Sequence, residues 1–177
     1  MNPPEHFETA RLRLRPPEMA DAAEMFRQYA RDREVTKYLS WQPHSGLKVT
    51  QEFLRRCLKV WKDGCAFPWV ILAKADNQLL GMIEMRIQGS KADIGYGLAR
   101  ACWGKGIASE AARTVVGWAL AQPEIYRVWA VCDIENDASR RVLEKCGMQC
   151  EGVLKRWLVH PGVSQEPRDC WCYAVVK

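Results

Sequence analysis

The stretch of sequence with the clearest capacity for ligand chemistry is a pair of closely spaced glycines, Gly104 and Gly106, with Lys105 between them. The apolar periodicity predicts that a strand ends at Leu98 and that a helix begins near Gly106. Glycine lets the backbone approach a ligand without interference from a Cβ atom, and the first amides of a helix have no internal partners. The turn is therefore a candidate cradle for a pyrophosphate, to which Lys105 adds positive charge, although such a spacing is also typical of a turn that binds nothing.

Two well-known phosphate motifs fit this turn poorly. The dinucleotide-binding pattern would need a third glycine where Ser109 stands, and the turn lies mid-chain, after predicted strands, instead of opening a βαβ unit. A GxxxxGK phosphate loop is absent from the sequence. A nucleotide-binding oxidoreductase is accordingly the weaker interpretation.

Two carboxylates, Glu84 and Asp93, stand inside predicted inner strands, where such groups are unusual. Each is a candidate general base, because carboxylates in such surroundings often have shifted pKa values. The alternative for each is a salt-bridged or edge-exposed carboxylate with no catalytic role.

A second segment follows downstream, NDASRRVLEKCGM over residues 136–148. Taken alone, Asn136 is a typical helix N-cap and Ser139 is an acceptable residue in the first turn. Together with WGKGIASEAA at 103–112, the segment resembles the two cofactor-binding segments of the GNAT acetyltransferase superfamily, and most closely those of its ribosomal-protein N-terminal acetyltransferase branch. The resemblance extends to ETARLRLRP, YLSWQPH and ADIGYGLA, so it covers nearly the whole chain.

The resemblance implies acetyl-coenzyme A as cosubstrate, a primary amine as acceptor, and no metal. It implies cofactor contacts at the end of the strand, around the glycine turn and in the second segment, with a backbone N–H near the strand end stabilising the oxyanion. The residues implied for cofactor binding are Leu98, Arg100, Trp103, Gly104, Lys105, Gly106, Ile107, Ala108, Asn136 and Ser139. The Gln or Arg usual three residues before the first glycine is Ala101 here, which predicts altered contacts and not lost binding.

The catalytic groups implied by the resemblance are only partly present. The tyrosine acid that many GNAT enzymes carry in the helix after the asparagine is Leu143 here, and the glutamate of the C-terminal strand is Leu158. Ser139 resembles the serine proposed as the acid in the ribosomal branch, and Asp93 stands where other members carry a strand glutamate. The catalytic candidates are therefore Asp93, Glu84 and Ser139, with deprotonation through water as the alternative.

Substrate selection is assigned to the loop and helices between Tyr38 and Trp61, where Trp41 and His44 are candidate pocket residues. The alternative for His44, which follows Pro43, is a solvent-exposed loop residue. The branch resemblance favours the α-amine of a protein or peptide N-terminus as acceptor. A small-molecule amine, such as a polyamine, amino sugar or drug, is the second interpretation, and a non-catalytic acyl-coenzyme A-binding module is the third.

The elements that must position these residues follow from hydrophobic periodicity and turn residues. They form a strand-helix-loop-helix unit, a meander of three strands, a strand-helix-strand crossover, a compact helix and two closing strands. The predicted strands cover 9–15, 67–75, 79–87, 92–98, 126–132, 149–158 and 168–176, and the predicted helices 18–31, 34–39, about 53–64, 107–122 and 136–146. We therefore predict one α/β domain over 1–177, the GNAT fold of the resemblance, with a mixed, mostly antiparallel central sheet and helices on both faces.

Composition excludes several other classes. The chain has 177 residues, 48% of them hydrophobic and 27% charged, as in ordinary globular proteins. No apolar run reaches membrane-spanning length and no signal-peptide core precedes Ala10, so we expect a cytoplasmic protein without a membrane partner. The net charge of +5 suits an anionic ligand but is too diffuse for nucleic acid.

The eight cysteines are interpreted as small buried residues and not as a disulfide framework, since no signal peptide precedes them. Paired Cys-x-x-Cys or Cys/His spacings are absent, which disfavours zinc. Both a monomer and a homodimer are compatible with the sequence.

Overall fold

The fold is built on one mixed sheet of eight strands. A computed structural model describes residues 3–177. The strands lie in the order β1-β2-β3-β4-β5-β6-β8-β7, and only β5 and β6 pair in parallel. Their bounds are β1 Phe7–Glu8, β2 Leu12–Arg15, β3 Phe67–Ala73, β4 Leu79–Gln88, β5 Lys91–Leu98, β6 Arg127–Asp133, β7 Gln149–Val159 and β8 Pro167–Val176. The predicted mixed, mostly antiparallel sheet is confirmed.

Helices cover both faces of the sheet, also as predicted. Their bounds are α1 Ala22–Met25, α2 Arg33–Thr36, α3 Leu47–Lys62, α4 Ile107–Ala121 and α5 Asp137–Lys145. Successive strand residues point to opposite faces, so Trp69 and Ile71 of β3 pack in one core cluster with α4, whereas Val70 and Leu72 pack in a second with α1 and α3. Each face of the sheet therefore has its own apolar core.

The N-terminal elements differ from the prediction, which lacked β1 and began α3 only near residue 53. The strand expected over 9–15 begins only at Leu12, because the Thr9 hydroxyl accepts a hydrogen bond from the Leu12 amide at 2.8 Å and holds a turn between β1 and β2. The single helix expected over 18–31 is a composite of a 3-10 turn Met19–Asp21, α1 and a π-helical turn Phe26–Ala30. The periodicity placed the apolar stripe correctly but did not distinguish these helix types.

The predicted crossover joins β5 to β6 through α4. Parallel pairing between the two strands is limited to Lys91 with Arg127, Ala92 with Val128 and Asp93 with Trp129. Beyond this last pair β5 runs on to Leu98 and β6 to Asp133 without further pairing. The two strands therefore part, and a V-shaped opening with its apex at Asp93 interrupts the sheet.

The connection between β7 and β8 reaches the N-terminal helices. The Gln42 side chain donates to the Pro161 carbonyl at 3.4 Å, and the rings of Tyr38 and His160 meet edge to face at 6.3 Å. A Cβ atom on Gly162 would lie 2.8 Å from the carbonyl oxygen of Lys37, so glycine is required for this close approach. The turn at Pro161-Gly162 thus joins the two halves of the chain.

Neither a membrane-spanning helix nor a metal-binding cluster is found in the part of the chain that the structure describes. Within residues 3–177, no helix combines the length and the apolar character needed to cross a bilayer. Over the same residues, no three side chains of the His, Cys, Asp or Glu type gather where they could hold a metal ion.

Candidate functional site

The β5 side of the V-shaped opening presents unpaired backbone groups. In an antiparallel pair, alternate residues direct both N–H and C=O toward the neighbouring strand. The Ala99 amide donates to the Leu80 carbonyl at 2.8 Å, and the Gly97 carbonyl faces Gly81 on β4. Leu98 therefore directs its backbone groups toward the opening, whereas the Ala99 amide is already engaged and is not free to bind an oxyanion.

Trp103 closes the end of β5. Its indole N–H donates to the Leu98 carbonyl at 3.0 Å, although the side chain remains 46% exposed. The Leu98 carbonyl is therefore already engaged, and the Leu98 amide is the remaining backbone group of this residue on the opening side.

The predicted cradle is one continuous turn between Trp103 and α4. Gly104 and Gly106 have φ values of +73° and +75°, in the left-handed region that favours glycine, and Gly106 is the N-cap of the helix. The Glu110 amide makes the first helical bond, to the Gly106 carbonyl at 3.0 Å, so the amides of residues 107–109 have no intrahelical partner. The turn thus offers several amides to an anion at the positive end of α4.

Arg100 is directed elsewhere. Its guanidinium pairs with the Asp32 carboxylate at 3.5 Å, at the N-terminus of α2, and its side chain is largely exposed. The structure therefore places the predicted cofactor residues in one continuous stretch, the turn itself and the first residues of α4: Trp103, Gly104, Lys105, Gly106, Ile107 and Ala108. Arg100 lies beside that turn and joins it to α2.

Hydrogen bonds among Thr9, Arg11 and Glu110, which the sequence did not reveal, hold this turn against the start of the sheet. The Glu110 carboxylate on α4 accepts from the Thr9 hydroxyl at 2.5 Å and from the Arg11 Nε at 2.7 Å. Arg11 also donates to the Lys105 carbonyl at 3.1 Å, inside the cradle. Burial alone would raise the pKa of Glu110, but the hydrogen bonds from Thr9 and Arg11 outweigh it and hold the pKa below its usual range.

Replacing Glu110 with glutamine is expected to lower the free energy of unfolding at pH 7 by about 1–2 kcal/mol, because charge-assisted hydrogen bonds are lost. A carboxylate with a lowered folded-state pKa contributes its stability above the unfolded-state pKa, and that contribution disappears as the pH falls through the folded-state pKa. Thermal melts of the wild type and the Glu110 variant should therefore differ at pH 7 and converge in strong acid. Glu166→Gln, at an exposed ion pair with Arg156, is the control and should melt like the wild type.

The opposite side of the opening is formed by the N-terminus of α5. The Asn136 side-chain oxygen accepts from the Ser139 amide at 3.1 Å, so Asn136 is an N-cap, as the alternative interpretation predicted. The Ser139 hydroxyl lies 2.8 Å from the hydroxyl of Tyr96 on β5. Tyr96 was missed in the sequence, where its one signal is a large polar ring between Gly95 and Gly97.

The two predicted carboxylates share one arginine on the sheet face that α1 and α3 cover. Arg86, missed from sequence, donates from Nε to Asp93 at 2.8 Å and from its terminal nitrogen to Glu84 at 2.7 Å. Burial raises the pKa of Glu84, while the neighbouring Arg86 acts in the opposite direction. Both carboxylates are thus salt-bridged, and Asp93 belongs to the last β5–β6 pair, at the apex of the opening.

A cavity of about 390 Å³ lies beside Asp93 on this face. Its walls include Trp129 of β6 and Trp157 of β7, whose rings meet edge to face at 6.5 Å, and Cys172 of β8. Lys91 lines it at the closed end of the β5–β6 pair. The lining thus brings two indoles and one carboxylate, which is paired with Arg86, next to the cations Lys91 and Arg127.

Trp41 and His44 lie together but do not line this cavity. Their rings are 4.7 Å apart, and His44 is only 6% exposed, with Nδ1 2.8 Å from the Thr50 hydroxyl. The alternative of a solvent-exposed His44 is wrong, because the loop folds back and the His44 amide donates to the Ala30 carbonyl at 2.8 Å. Burial lowers the pKa of His44, which favours its neutral form.

Comparisons with known proteins match the chain to one family. The family model described as "Acetyltransferase (GNAT) domain" matches residues 11–149. YoaA of Bacillus subtilis (strain 168), named an uncharacterized N-acetyltransferase, is 30% identical over 174 residues, 97% of this chain and 96% of that protein.

Solved structures of acetyltransferases have the same fold. A GNAT-family acetyltransferase from Bacillus anthracis is 26% identical, with a TM-score of 0.83 over 97% of this chain and 98% of that one. RimL, described as a ribosomal L7/L12 α-N-protein acetyltransferase in complex with coenzyme A, is 20% identical, with a TM-score of 0.83 over 97% and 98% of the two chains. The opening beside the α4 cradle, the family match and these likenesses lead to one conclusion: the chain belongs to the GNAT family and is an N-acetyltransferase.

Proposed function

We propose that the protein is a cytoplasmic enzyme that transfers the acetyl group of acetyl-coenzyme A to the α-amine of a protein or peptide N-terminus. The observation that carries the proposal is the parting of β5 and β6 directly beside the free amides of α4. An extended arm can pair with the β5 edge at Leu98 only because β6 has left that edge. The name of RimL, an α-N-protein acetyltransferase, supports this choice of acceptor.

Different residues along the opening bind different parts of acetyl-coenzyme A. The amides between Gly104 and Ser109 bind the pyrophosphate, and the free edge of β5, up to Leu98, holds the pantetheine arm. Acetyl-coenzyme A supplies a thioester, whose carbonyl oxygen would gain negative charge as the amine attacks. A β5 amide that faces the opening between Asp93 and Leu98 would then donate a hydrogen bond to that oxygen.

The candidate bases, Glu84 and Asp93, favour an α-amine over a lysine-type amine as the acetyl acceptor. An α-amine has a pKa of about 7.7–8.0, against about 10.4 for lysine, so it is much closer to its nucleophilic neutral form at pH 7. Glu84 and Asp93 are both bound by Arg86, so neither carboxylate is free of a charged partner. Such carboxylates suit an amine that needs little help with deprotonation.

The cavity beside Asp93 is the proposed acceptor site. Trp129 and Trp157 would contact the first side chain of the acceptor while its amine points toward the apex. We expect Trp129→Ala to raise KM for the acceptor about tenfold, because an aromatic contact and its buried area are lost. Steady-state kinetics with saturating acetyl-coenzyme A would measure this, and Tyr126→Ala, at a tyrosine that is 61% exposed, is the matched control with unchanged KM.

Transfer of radiolabelled acetyl groups to short peptides, polyamines and aminoglycosides tests the proposal. We expect the highest kcat/KM for peptides with a free N-terminus and none for the same peptides with a blocked one. A cavity of 390 Å³ is also within the size range of small-molecule sites, so preference for a polyamine or an aminoglycoside would replace the acceptor with the second candidate class. Coenzyme A binding without transfer to any acceptor would favour a non-catalytic binding module.

A further inference from the structure

Tyr96 connects the two sides of the V-shaped opening. It lies on β5, and its ring packs against the core on the α4 side of the sheet. Its hydroxyl lies 2.8 Å from the Ser139 hydroxyl, where either oxygen can donate, and 3.2 Å from the Ser139 carbonyl, which only accepts; both groups are in the first turn of α5. The phenol of Tyr96 on β5 therefore reaches the hydroxyl of Ser139 on α5.

The position of the Tyr96 phenol is important because α5 itself contains no tyrosine. Leu143, where the family pattern has a tyrosine, is fully buried in the core. Nor does Ser139 direct its side chain back along its own helix, since its hydroxyl bonds across the opening instead. Ser139 and Tyr96 thus form a pair of hydroxyls that lies between β5 and α5.

We propose that Tyr96 is a positioning residue that donates its phenolic hydrogen to the Ser139 oxygen and so directs the Ser139 hydroxyl hydrogen toward the leaving sulfur. The inference rests on the proposed acetyl transfer and holds for any amine acceptor. A serine hydroxyl has one hydrogen and two acceptor lone pairs. When Tyr96 occupies a lone pair, the Ser139 hydrogen is free for another acceptor, and chains of hydrogen bonds strengthen one another.

The chemical step needs no net proton from either hydroxyl. The amine nitrogen forms a bond to the acetyl carbon and loses one proton to a carboxylate or to water. The carbon–sulfur bond breaks, and its electron pair stays on sulfur. A thiolate with a pKa of about 8.5 leaves readily when the Ser139 hydroxyl donates a hydrogen bond to it, and it then takes a proton from solvent.

The environment of Tyr96 keeps its phenol protonated. Burial raises the pKa of its phenol, against a smaller effect of the Ser139 hydrogen bond. The phenol therefore stays protonated through the neutral range, and Tyr96 does not compete as an acid that loses its proton. This separates a positioning role from direct proton transfer.

The competing explanation is that Tyr96 only fastens α5 to the sheet. Tyr173 of β8 provides a matched comparison, because its hydroxyl donates to Glu144 near the other end of α5 at 3.0 Å. A purely structural role would make Tyr96→Phe and Tyr173→Phe similar. The positioning role would affect turnover only in the first.

The test compares Tyr96→Phe, Ser139→Ala, the double variant and Tyr173→Phe, with the best acceptor of the peptide, polyamine and aminoglycoside screen. We expect Tyr96→Phe to lower kcat about tenfold, with the KM for acetyl-coenzyme A and the coenzyme A Kd unchanged within about twofold. The double variant should be no slower than Ser139→Ala, because both changes remove one hydrogen-bonded unit. Tyr173→Phe should keep the wild-type kcat even where it lowers the melting temperature.

Wild-type kcat in folded Tyr96→Phe would overturn the inference, as would a double variant slowed by the product of the two single effects. Either result leaves the proposed function intact when the wild type transfers acetyl groups. A wild type that acetylates none of the acceptors counts against both the proposed function and the role of Tyr96.

Discussion

Replacing Gly106 with tryptophan is expected to abolish the binding of coenzyme A. Gly106 is the N-cap of α4 and has a φ of +75°, where a side chain costs about 1–2 kcal/mol. An indole here would also cover the amides at the start of α4. Hydrogen bonds to charged groups contribute about 1.5–3 kcal/mol each, so losing two of them weakens binding by about 100-fold or more.

Isothermal titration of the folded variant with coenzyme A measures this loss. Gly106→Ala provides a graded case, because its Cβ would lie 3.6 Å from an Arg11 nitrogen, which is ordinary contact, and only backbone strain remains. Gly117→Ala is the control: this glycine lies within α4, has no atom within 4 Å of an added Cβ, and should bind normally. Wild-type affinity in Gly106→Trp would remove the α4 turn as the pyrophosphate site.

Replacing Asp93 with asparagine is expected to lower kcat about 100-fold while coenzyme A binds nearly as tightly as to the wild type, as for the loss of a general base. Asp93 is buried at the apex of the opening and lines the acceptor cavity, whereas the cradle lies at the far end of β5. The effect should therefore appear in turnover and not in cofactor affinity. Initial rates over a range of pH, together with coenzyme A titration, separate the two.

Glu84→Gln is the matched variant, because Arg86 holds both carboxylates. Since burial raises the pKa of Glu84, a Glu84 base would make kcat fall as the pH decreases through that raised pKa. The Glu84 variant would then lose this acidic limb, while the Asp93 variant would keep it. Unchanged kcat in both variants would assign deprotonation to water.

Element order and the cradle could be predicted from sequence because they depend on local properties. Hydrophobic periods of two and of about 3.6 residues mark strands and helices wherever they lie in the chain. The glycines at 104 and 106 are required by the conformation of their own backbone. The cap at Asn136 depends on an amide only three residues away. Each of these signals lies within a short stretch of residues.

The contacts made by the candidate catalytic residues could not be predicted in this way, because their partners lie far apart in the chain. Arg86 meets Asp93 only through the register of β4 and β5, and Tyr96 meets Ser139 only across the opening. His44 looked exposed from its neighbours, but an aromatic cluster with Trp41 buries it.

The amino-acid sequence by itself determined the order of strands and helices, the left-handed glycines before α4 and the cap of α5. Tertiary structure alone decided where β5 and β6 part, which arginine holds the two carboxylates, and which tyrosine reaches the serine. The reason is physical: backbone conformation and capping involve neighbours in sequence, whereas the pairing of charges and hydroxyls depends on how the sheet is registered and how the helices dock on it.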